Sequence, residues 1–449
     1  MSISSTLNVA KAALIATQTS VQVASNNIAN VNTVGYARQE AVLEDASPNG
    51  VCINTIMRYY DKYLESSMRG KNSNAGEQSV LSTYLNRIEG VVNEDNSNLS
   101  NNLTAFFNDW QSLSTDPTNK GLKQTLVSQG QTLAQSVDSI YADLKGLQTE
   151  ANSQINSDIA SINGMLSSIA DLNKRIIESS GNVDSGSGKN GYLDQKTALL
   201  DKLSRKMGIT TFDDEYGRTT VLTTSGKPLV EDGGAWSLTT IADGTTGYSN
   251  VAWKDTTGDV TDITGSIGGG EIKALIDTRD KYTPEFLTAM DDLSNALKGN
   301  VKWSVNGIST SFFQGTSGAD IAVSQSLVND PTLISATSDP VNNPTDNDIA
   351  VAMASLADEK LLDGGTSTFT DFLANLAGRA GQVASNAKDA AQYTSDTLSA
   401  LSSQRASISG VSIDDEMTNL IKFQYAYQAA SRLFTVADTL LQDLMKVIS

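Results

Sequence analysis

The C-terminal segment 412–449, SIDDEMTNLIKFQYAYQAASRLFTVADTLLQDLMKVIS, carries the pattern that decides the fold. Apolar side chains recur in it every seven residues, and a second apolar set follows three positions after the first. The first set is Ile413, Leu420, Tyr427, Phe434, Leu441 and Ile448, and the second is Phe423, Ala430, Ala437 and Leu444. Alternating steps of three and four residues predict one long helix with a narrow apolar seam. Ser412, with Asp415 three residues later, predicts the N-cap of this helix.

The N-terminal segment carries a matching seam at the other end of the chain. Its members are Ile3, Leu7, Ala10, Leu14, Thr17, Val21, Ala24, Ile28 and Val31. A narrow seam needs a partner helix, so we predict that the two ends pair as a coiled coil. A helix of about 30 residues is roughly 45 Å long, and the pair would form a slender rod. We predict an assembly interface on this rod made of Leu7, Leu14, Val21, Ile28, Leu420, Phe423, Tyr427, Phe434, Leu441 and Leu444.

The outer surface of the N-terminal segment is almost free of charge. Through Ala37 it holds a single charged residue, Lys11, among Ser, Thr, Asn, Gln and Ala. A solvated coiled coil normally carries Glu and Lys at such positions, where they form stabilising pairs. We therefore expect a helix pair that is marginal alone and is completed by packing among copies of the chain. The alternative is an ordinary two-helix seam inside a monomer.

Composition excludes several classes of function. The net charge of −19 argues against nucleic acid and anionic membranes as partners, because phosphate binding needs clustered Lys and Arg. The chain has no histidine and one cysteine, Cys52, which removes imidazole-based catalysis, the usual zinc ligand and any intrachain disulfide. No stretch has the apolar length of a membrane span, and the N-terminus lacks the features of a cleaved secretory signal. We predict no enzyme, no cofactor and no metal.

The middle of the chain predicts an α+β, mainly α fold. Helical spacing covers residues 59–92, 99–110 and 133–169, and it returns in residues 271–297 and 370–408. Three domains follow from this pattern: the terminal coiled-coil helices 1–32 and 413–449, a mainly helical domain 33–205 and 270–412, and an inserted β-rich outer domain 206–269.

Three further segments predict non-helical structure. Residues 36–57, around a Pro-Asn-Gly turn, predict an extended segment or an irregular hairpin. Residues 181–191, rich in Ser, Asn and Gly, predict a flexible loop. The polar stretch that follows residue 297 predicts a loop-rich region up to about residue 347.

Three short motifs could carry chemistry, and each has a simpler interpretation. The glycine run at 265–270 could cradle a phosphate but lacks the Lys-Ser/Thr of a P-loop, so a turn is favoured. The oxygen-rich stretch 339–348 could hold calcium but lacks the EF-hand pattern, so helix-capping turns are favoured. Asp213, Asp214 and Glu215 could supply paired carboxylates, but a solvated turn is favoured.

Both ends of the chain also resemble a known family. The stretch ASNNIANVNTVGY at 24–36 resembles the N-terminal signature of the flagellar axial proteins, which are the rod, hook and hook-associated proteins. The stretches SGVSIDDEM at 409–417 and KFQYAYQAA at 422–430 are similar to the C-terminal signature of the hook-associated proteins of the hook–filament junction. Internal motifs agree, among them RYYD at 58–61, YLDQ at 192–195 and LIDTRD at 275–280.

This resemblance implies a structural subunit of the bacterial flagellum that joins hook to filament. The implied partners are the chain itself in a helical assembly, the hook protein, the second junction protein (hook-associated protein 3) and a cytoplasmic export chaperone on the C-terminal helix. The implied location is extracellular, after type III export without a cleaved signal peptide. Alternatives are a neighbouring junction protein, a hook subunit or, in another class, an adhesin or enzyme on a coiled-coil stalk.

Overall fold

In a computed structural model, the described residues are 2–47, 49–179 and 186–448. Long helices dominate and small antiparallel sheets accompany them, so the predicted α+β, mainly α class is confirmed. The helices are α1 (Ile3–Ala29), α2 (Lys62–Thr115), α3 (Lys120–Ser179), α4 (Gly186–Lys206), α5 (Glu271–Asp277), α6 (Thr283–Asn300), α7 (Gln325–Asn329), α8 (Asp348–Ser355), α9 (Phe369–Ser409) and α10 (Ile413–Ile448).

The strands form five small antiparallel sheets within these described residues. The strands are β1 (Gln39–Asp45), β2 (Val51–Arg58), β3 (Ile209–Asp213), β4 (Thr219–Thr223), β5 (Pro228–Glu231), β6 (Gly234–Ala235), β7 (Ser237–Ala242), β8 (Ser249–Lys254), β9 (Val260–Asp262), β10 (Lys302–Val305), β11 (Ile308–Ser311), β12 (Phe313–Gln314) and β13 (Ala322–Val323). The sheets are β1-β2, β3-β4-β5-β6, β7-β8-β9, β10-β11 and β12-β13. The hairpin predicted within residues 36–57 is the β1-β2 sheet.

The chain divides into two compact units. Unit 1 comprises Met1–Gly76, Asp158–Gly270 and Tyr393–Ser449, and unit 2 comprises Glu77–Ser157 and Glu271–Gln392. The strand-rich residues 206–269 belong to the same unit as the two terminal helices. The division of the chain into three domains, with 206–269 as a separate outer domain, stays a prediction.

One predicted interruption of helix is absent, and part of a predicted loop is helical. Helix α2 is continuous where the sequence predicts two separate helical segments. Residues 186–191, predicted as part of a flexible loop, form the start of α4, whereas 181–185 lie outside the described residues. The side-chain amide of Asn190, which is buried, donates to the Ile56 carbonyl on β2 at 2.9 Å. Such tertiary contact outweighs the weak helix propensity of Ser, Asn and Gly.

The region after residue 297 also holds more structure than its polar composition predicts. Strands β10 and β11 pair directly after α6, and Trp303, Phe312 and Phe313 are buried. The ring centroid of Phe312 lies 5.0 Å from that of Phe106 on α2, in an edge-to-face arrangement. Four buried aromatic side chains from two distant segments therefore build the centre of unit 2.

Gly130 on α3 makes room for this aromatic cluster. A Cβ atom at position 130 would lie 2.4 Å from Cε1 of Phe312, whereas one at Gly146 on the same helix would meet nothing within 4 Å. We expect Gly146→Ala to raise the free energy of unfolding by about 0.5–1 kcal/mol, because alanine is the better helix former. Gly130→Ala should lower it by about 1–3 kcal/mol through overpacking, as measured by urea denaturation. Equal stabilisation by both changes would contradict this account.

A buried ionic cluster joins elements of unit 1 near the end of α1 and the start of α10. Arg405, near the end of α9, pairs with Glu65 on α2 at 2.7 Å and with Asp201 on α4 at 2.9 Å. Arg58, the last residue of β2, pairs with Asp194 on α4 at 2.6 Å. Burial raises the pKa of Glu65, Asp194 and Asp201, while the arginines beside them favour the ionised form. The cluster joins four elements from three separate parts of the chain: β2 and α2, then α4, then α9.

Removing Arg405, the cation that Glu65 and Asp201 share, should lower the stability of the protein. Arg405→Met would leave Glu65 and Asp201 buried without their partner, and we expect a loss of about 3–5 kcal/mol in the free energy of unfolding. Arg87→Met is the matched control, because the Arg87–Glu150 pair is about half exposed and should contribute about 0–1 kcal/mol. Urea denaturation at neutral pH measures both changes. A loss at Arg405 no larger than that at Arg87 would be evidence against the cluster's role.

Candidate assembly interface

Helix α1 is built to let other elements approach closely. Its N-terminus is capped by Ser2, whose Oγ accepts a hydrogen bond from the Ser5 amide at 3.2 Å. Its buried side chains are small or of moderate size: Ala10, Ala16, Ser20, Val23, Ala24 and Asn27. These residues lie on more than one face, and α1 contacts α10 as well as strands β1 and β2. Helix α1 therefore lies between α10 and the β1-β2 hairpin.

Several residues of the stretch 24–36, which resembles the flagellar axial proteins, form the turn that follows α1. The fully buried Asn27 donates through Nδ2 to the Gln39 carbonyl at 2.8 Å, and its Oδ1 accepts from the Gln39 amide at 3.0 Å. The Tyr36 hydroxyl donates to the same Oδ1 at 2.7 Å. Gly35 has φ +84°, and a Cβ there would lie 2.9 Å from Cβ of Ala198. One asparagine thus joins the end of α1 to the start of the hairpin.

Helix α10 starts beside this turn. The Ser412 Oγ accepts a hydrogen bond from the Asp415 amide at 3.4 Å, which confirms the predicted N-cap. Burial, together with the carboxylates of Asp194 and Glu416, raises the pKa of Tyr36, so the first turn of α10 lies close to the residues that follow α1. The two helices therefore run antiparallel, and further along them Val21 and Tyr427 line one groove. The predicted pairing of the terminal helices is confirmed.

The small members of the seam on α10 are covered, but its bulky members are not. Ala430 and Ala437 are buried. Tyr427, Phe434, Leu441 and Leu444 are 39–48% exposed. The other six predicted interface residues, Leu7, Leu14, Val21, Ile28, Leu420 and Phe423, are half-buried. None of the ten is fully buried within one chain, and their role in assembly stays a prediction.

A second exposed apolar set on α10 lies outside the heptad positions. Leu433, Val436 and Leu440 are 41–57% exposed. Nearer the start of α10, Met417, Ile421 and Tyr425 are exposed as well. The heptad pattern alone missed most of these residues, although their spacing of three and four residues was visible in the sequence. Contiguous exposed apolar surface on a folded protein marks a site of interaction.

The three motifs considered for chemistry form turns. The Gly268 amide donates to the Thr224 Oγ1 at 3.1 Å within the glycine run. The Asp339 carboxylate accepts from the Asn342 amide at 3.1 Å, and Asp214 accepts from Arg218 at 2.6 Å. Among the described residues, no group of three or more acidic, cysteine or histidine residues could hold a metal ion. In the same part of the chain, no helix is long and apolar enough to cross a membrane.

Comparison with protein families identifies the chain. The family model described as flagellar hook-associated protein FlgK helical domain matches residues 85–322, which is more than half of the chain. The chain belongs to the FlgK family of flagellar hook-associated proteins. A flagella basal body rod protein model matches residues 7–36, and a flagellar basal body rod FlgEFG protein C-terminal model matches residues 402–447. These two matches coincide with the paired terminal helices.

Relatives of this family match along the whole chain. Flagellar hook-associated protein 1 of Bacillus subtilis is 29% identical over 98% of this chain and 97% of its own length. The protein of that name from Salmonella typhimurium is 24% identical over 99% of this chain and 100% of its own length. The solved flagellar hook junction protein FlgK from Burkholderia pseudomallei has the same fold, with a TM-score of 0.65, 13% identity, and coverage of 77% of this chain and 100% of that chain.

The members of the FlgK family are structural proteins of the flagellum. This favours the structural class over an adhesin or enzyme on a coiled-coil stalk. The chain is a structural component of the flagellum at the hook–filament junction and not an enzyme. The predicted membership of the hook-associated proteins, made from residues 24–36 and the C-terminal motifs, is confirmed.

Proposed function

We propose that this FlgK-family chain builds the hook–filament junction by packing its paired terminal helices, α1 and α10, into a helical array of copies. The observation that carries the proposal is the incomplete cover of the seam, since Phe434 and Leu441 remain about 40% exposed although α1 and α10 already pair. In a heterologous interface each copy offers one patch to the next, and such contacts propagate. The ten seam residues from Leu7 to Leu444 form that interface.

In this array the helix pairs form an inner tube and the strand-rich residues 206–269 lie outside it. The low charge of α1 supports the inner position, because Lys11 is its single charged residue in a chain of net charge −19. Copies that repel one another through their charged parts can approach most easily along uncharged helices.

The partners follow from the same position at the junction. The hook protein lies on one side of the array and the second junction protein, hook-associated protein 3, on the other. The chain reaches the site by type III export without cleavage of a signal peptide, and neither nucleic acid nor membrane takes part.

Phe434 gives a direct test of assembly. Because this side chain is 40% exposed in the monomer, Phe434→Asp should change the free energy of unfolding by less than about 1 kcal/mol. In the array the same aspartate would be buried without a counter-ion, and assembly should fail. Calorimetry of the purified chain and electron microscopy of filaments on cells that carry the variant measure the two effects. Normal filaments on these cells would contradict the proposed interface.

Ala437, one turn further along α10, is the matched control. It is 1% exposed and faces α1, so Ala437→Asp should weaken the monomer itself, by about 3 kcal/mol or more. A stability loss at both positions would show that the seam is already complete in the monomer.

Because α10 exposes apolar surface, the chain needs protection from premature association before export. Leu440 and Met445 are more than half exposed, and such a surface promotes premature association. We expect a cytoplasmic export chaperone to bind α10, and deletion of residues 413–449 to abolish that binding. Isothermal titration calorimetry measures the binding, and circular dichroism checks that the remaining helices stay folded. Undiminished binding by the shortened chain would show that the chaperone recognises another segment.

A further inference from the structure

A groove lies between α1 and β2 on the side of α1 that α10 leaves uncovered. Its volume is about 470 Å³, and none of the residues that line it is charged. Its walls are largely apolar and include Ala12, Ile15, Ala16, Val51, Ile53 and Ile56. Ile15 is 53% exposed, so the groove is open.

On α1, the groove lies on the side opposite to the face that contacts α10 of the same chain. Val21 lines a groove together with Tyr427 of α10, whereas Ala12 lines the groove beside β2. Ala12 precedes Val21 by about two and a half helical turns, which places the two side chains on opposite sides of α1. A segment of α10 can therefore reach this groove only from another copy of the chain.

The exposed residues Leu433, Val436, Leu440 and Leu444 form an uncharged ridge along α10. From Leu433 to Leu444 the ridge is about 16 Å long, at about 1.5 Å per residue. The part of α1 that lines the groove, from Ala12 to Val23, has the same number of residues and hence the same length. Ridge and groove match in length, in apolar character and in the absence of charge.

We propose that the ridge of one copy docks into the α1–β2 groove of the next copy. This inference rests on the proposed self-assembly and specifies a second contact surface for it, which adds Leu433, Val436 and Leu440 to the ten seam residues and shares Leu444 with them. The net charge of −19 favours contact between copies where neither surface carries charge. Each α1 is then covered by α10 of its own chain on one side and by α10 of a neighbour on the other, and the arrangement is open-ended.

Charge complementarity sets the direction of the docked helix. Lys11 directly precedes Ala12 at one end of the groove, and Asp443 directly precedes Leu444 at one end of the ridge. Antiparallel docking brings Leu444 next to Ala12 and hence the Asp443 carboxylate, which in the single chain forms an exposed ion pair with Lys446 at 3.3 Å, next to the Lys11 ammonium group. Parallel docking would leave both charges without this contact between copies.

Cys52 in the wall of the groove provides the test, because it is the one cysteine of the chain. Leu440→Cys and Leu444→Cys each place a thiol on the ridge, and Gln442→Cys places one on the opposite side of α10 as a control. The variants replace the native chain in the bacterium that encodes it, and isolated flagella are oxidised mildly and separated on a non-reducing gel. We expect both ridge variants to give a ladder of dimers and higher oligomers, several-fold stronger than that of Gln442→Cys.

The outcomes separate this inference from the proposed function. Filaments on the cells, with cross-linking of the ridge variants no stronger than that of Gln442→Cys, would overturn the docking of ridge into groove and leave assembly through the seam intact. Normal filaments with Phe434→Asp would instead overturn the proposed interface. Loss of filaments in Leu440→Cys, which lies outside the seam, but not in Gln442→Cys would support the ridge as a contact between copies.

Discussion

The close approach of α1 to α10 and to the β1-β2 hairpin is the contact on which the rest of the structure depends. It is made by small side chains, among them Ala16, Ala24, Ala430 and Ala437. Because the partners come from opposite ends of the chain, everything between residues 30 and 412 must leave the helix pair and return to it. The long helices α2, α3 and α9 provide this path, and each contributes residues to both units.

Two sets of buried polar contacts fix where the chain leaves the α1–α10 pair and where it returns to it. Asn27 closes the turn after α1, and Arg405 holds Glu65 and Asp201 near the start of α10. Buried ion pairs contribute little net stability, because desolvation offsets their attraction. Their effect here is to select one geometry. That geometry leaves the bulky side of the α10 seam exposed, and these exposed side chains are the surface through which we propose assembly into an array.

The residues that share the seam of each terminal helix were predictable from the sequence, because heptad spacing reports directly which residues lie on one helix face. The pairing of both ends followed from this spacing, and the N-cap at Ser412 followed from Asp415 three residues later. The ridge around Leu440 was missed although its spacing is visible in the sequence, and the α1–β2 groove was not predictable. A heptad reports one face of a helix, whereas the groove depends on where the hairpin lies against α1, which is a contact between separate segments.

The sequence by itself determined the mainly helical class, the pairing of the two ends and membership of a structural flagellar family. These properties rest on local periodicity and on short motifs such as residues 24–36. Only the tertiary structure decided that residues 186–191 are helical and that the polar region after residue 297 delivers Phe312 to a buried aromatic cluster. Tertiary structure also decided which seam residues remain exposed. The physical reason is that burial depends on contacts between distant segments, and these contacts outweigh local propensity and composition.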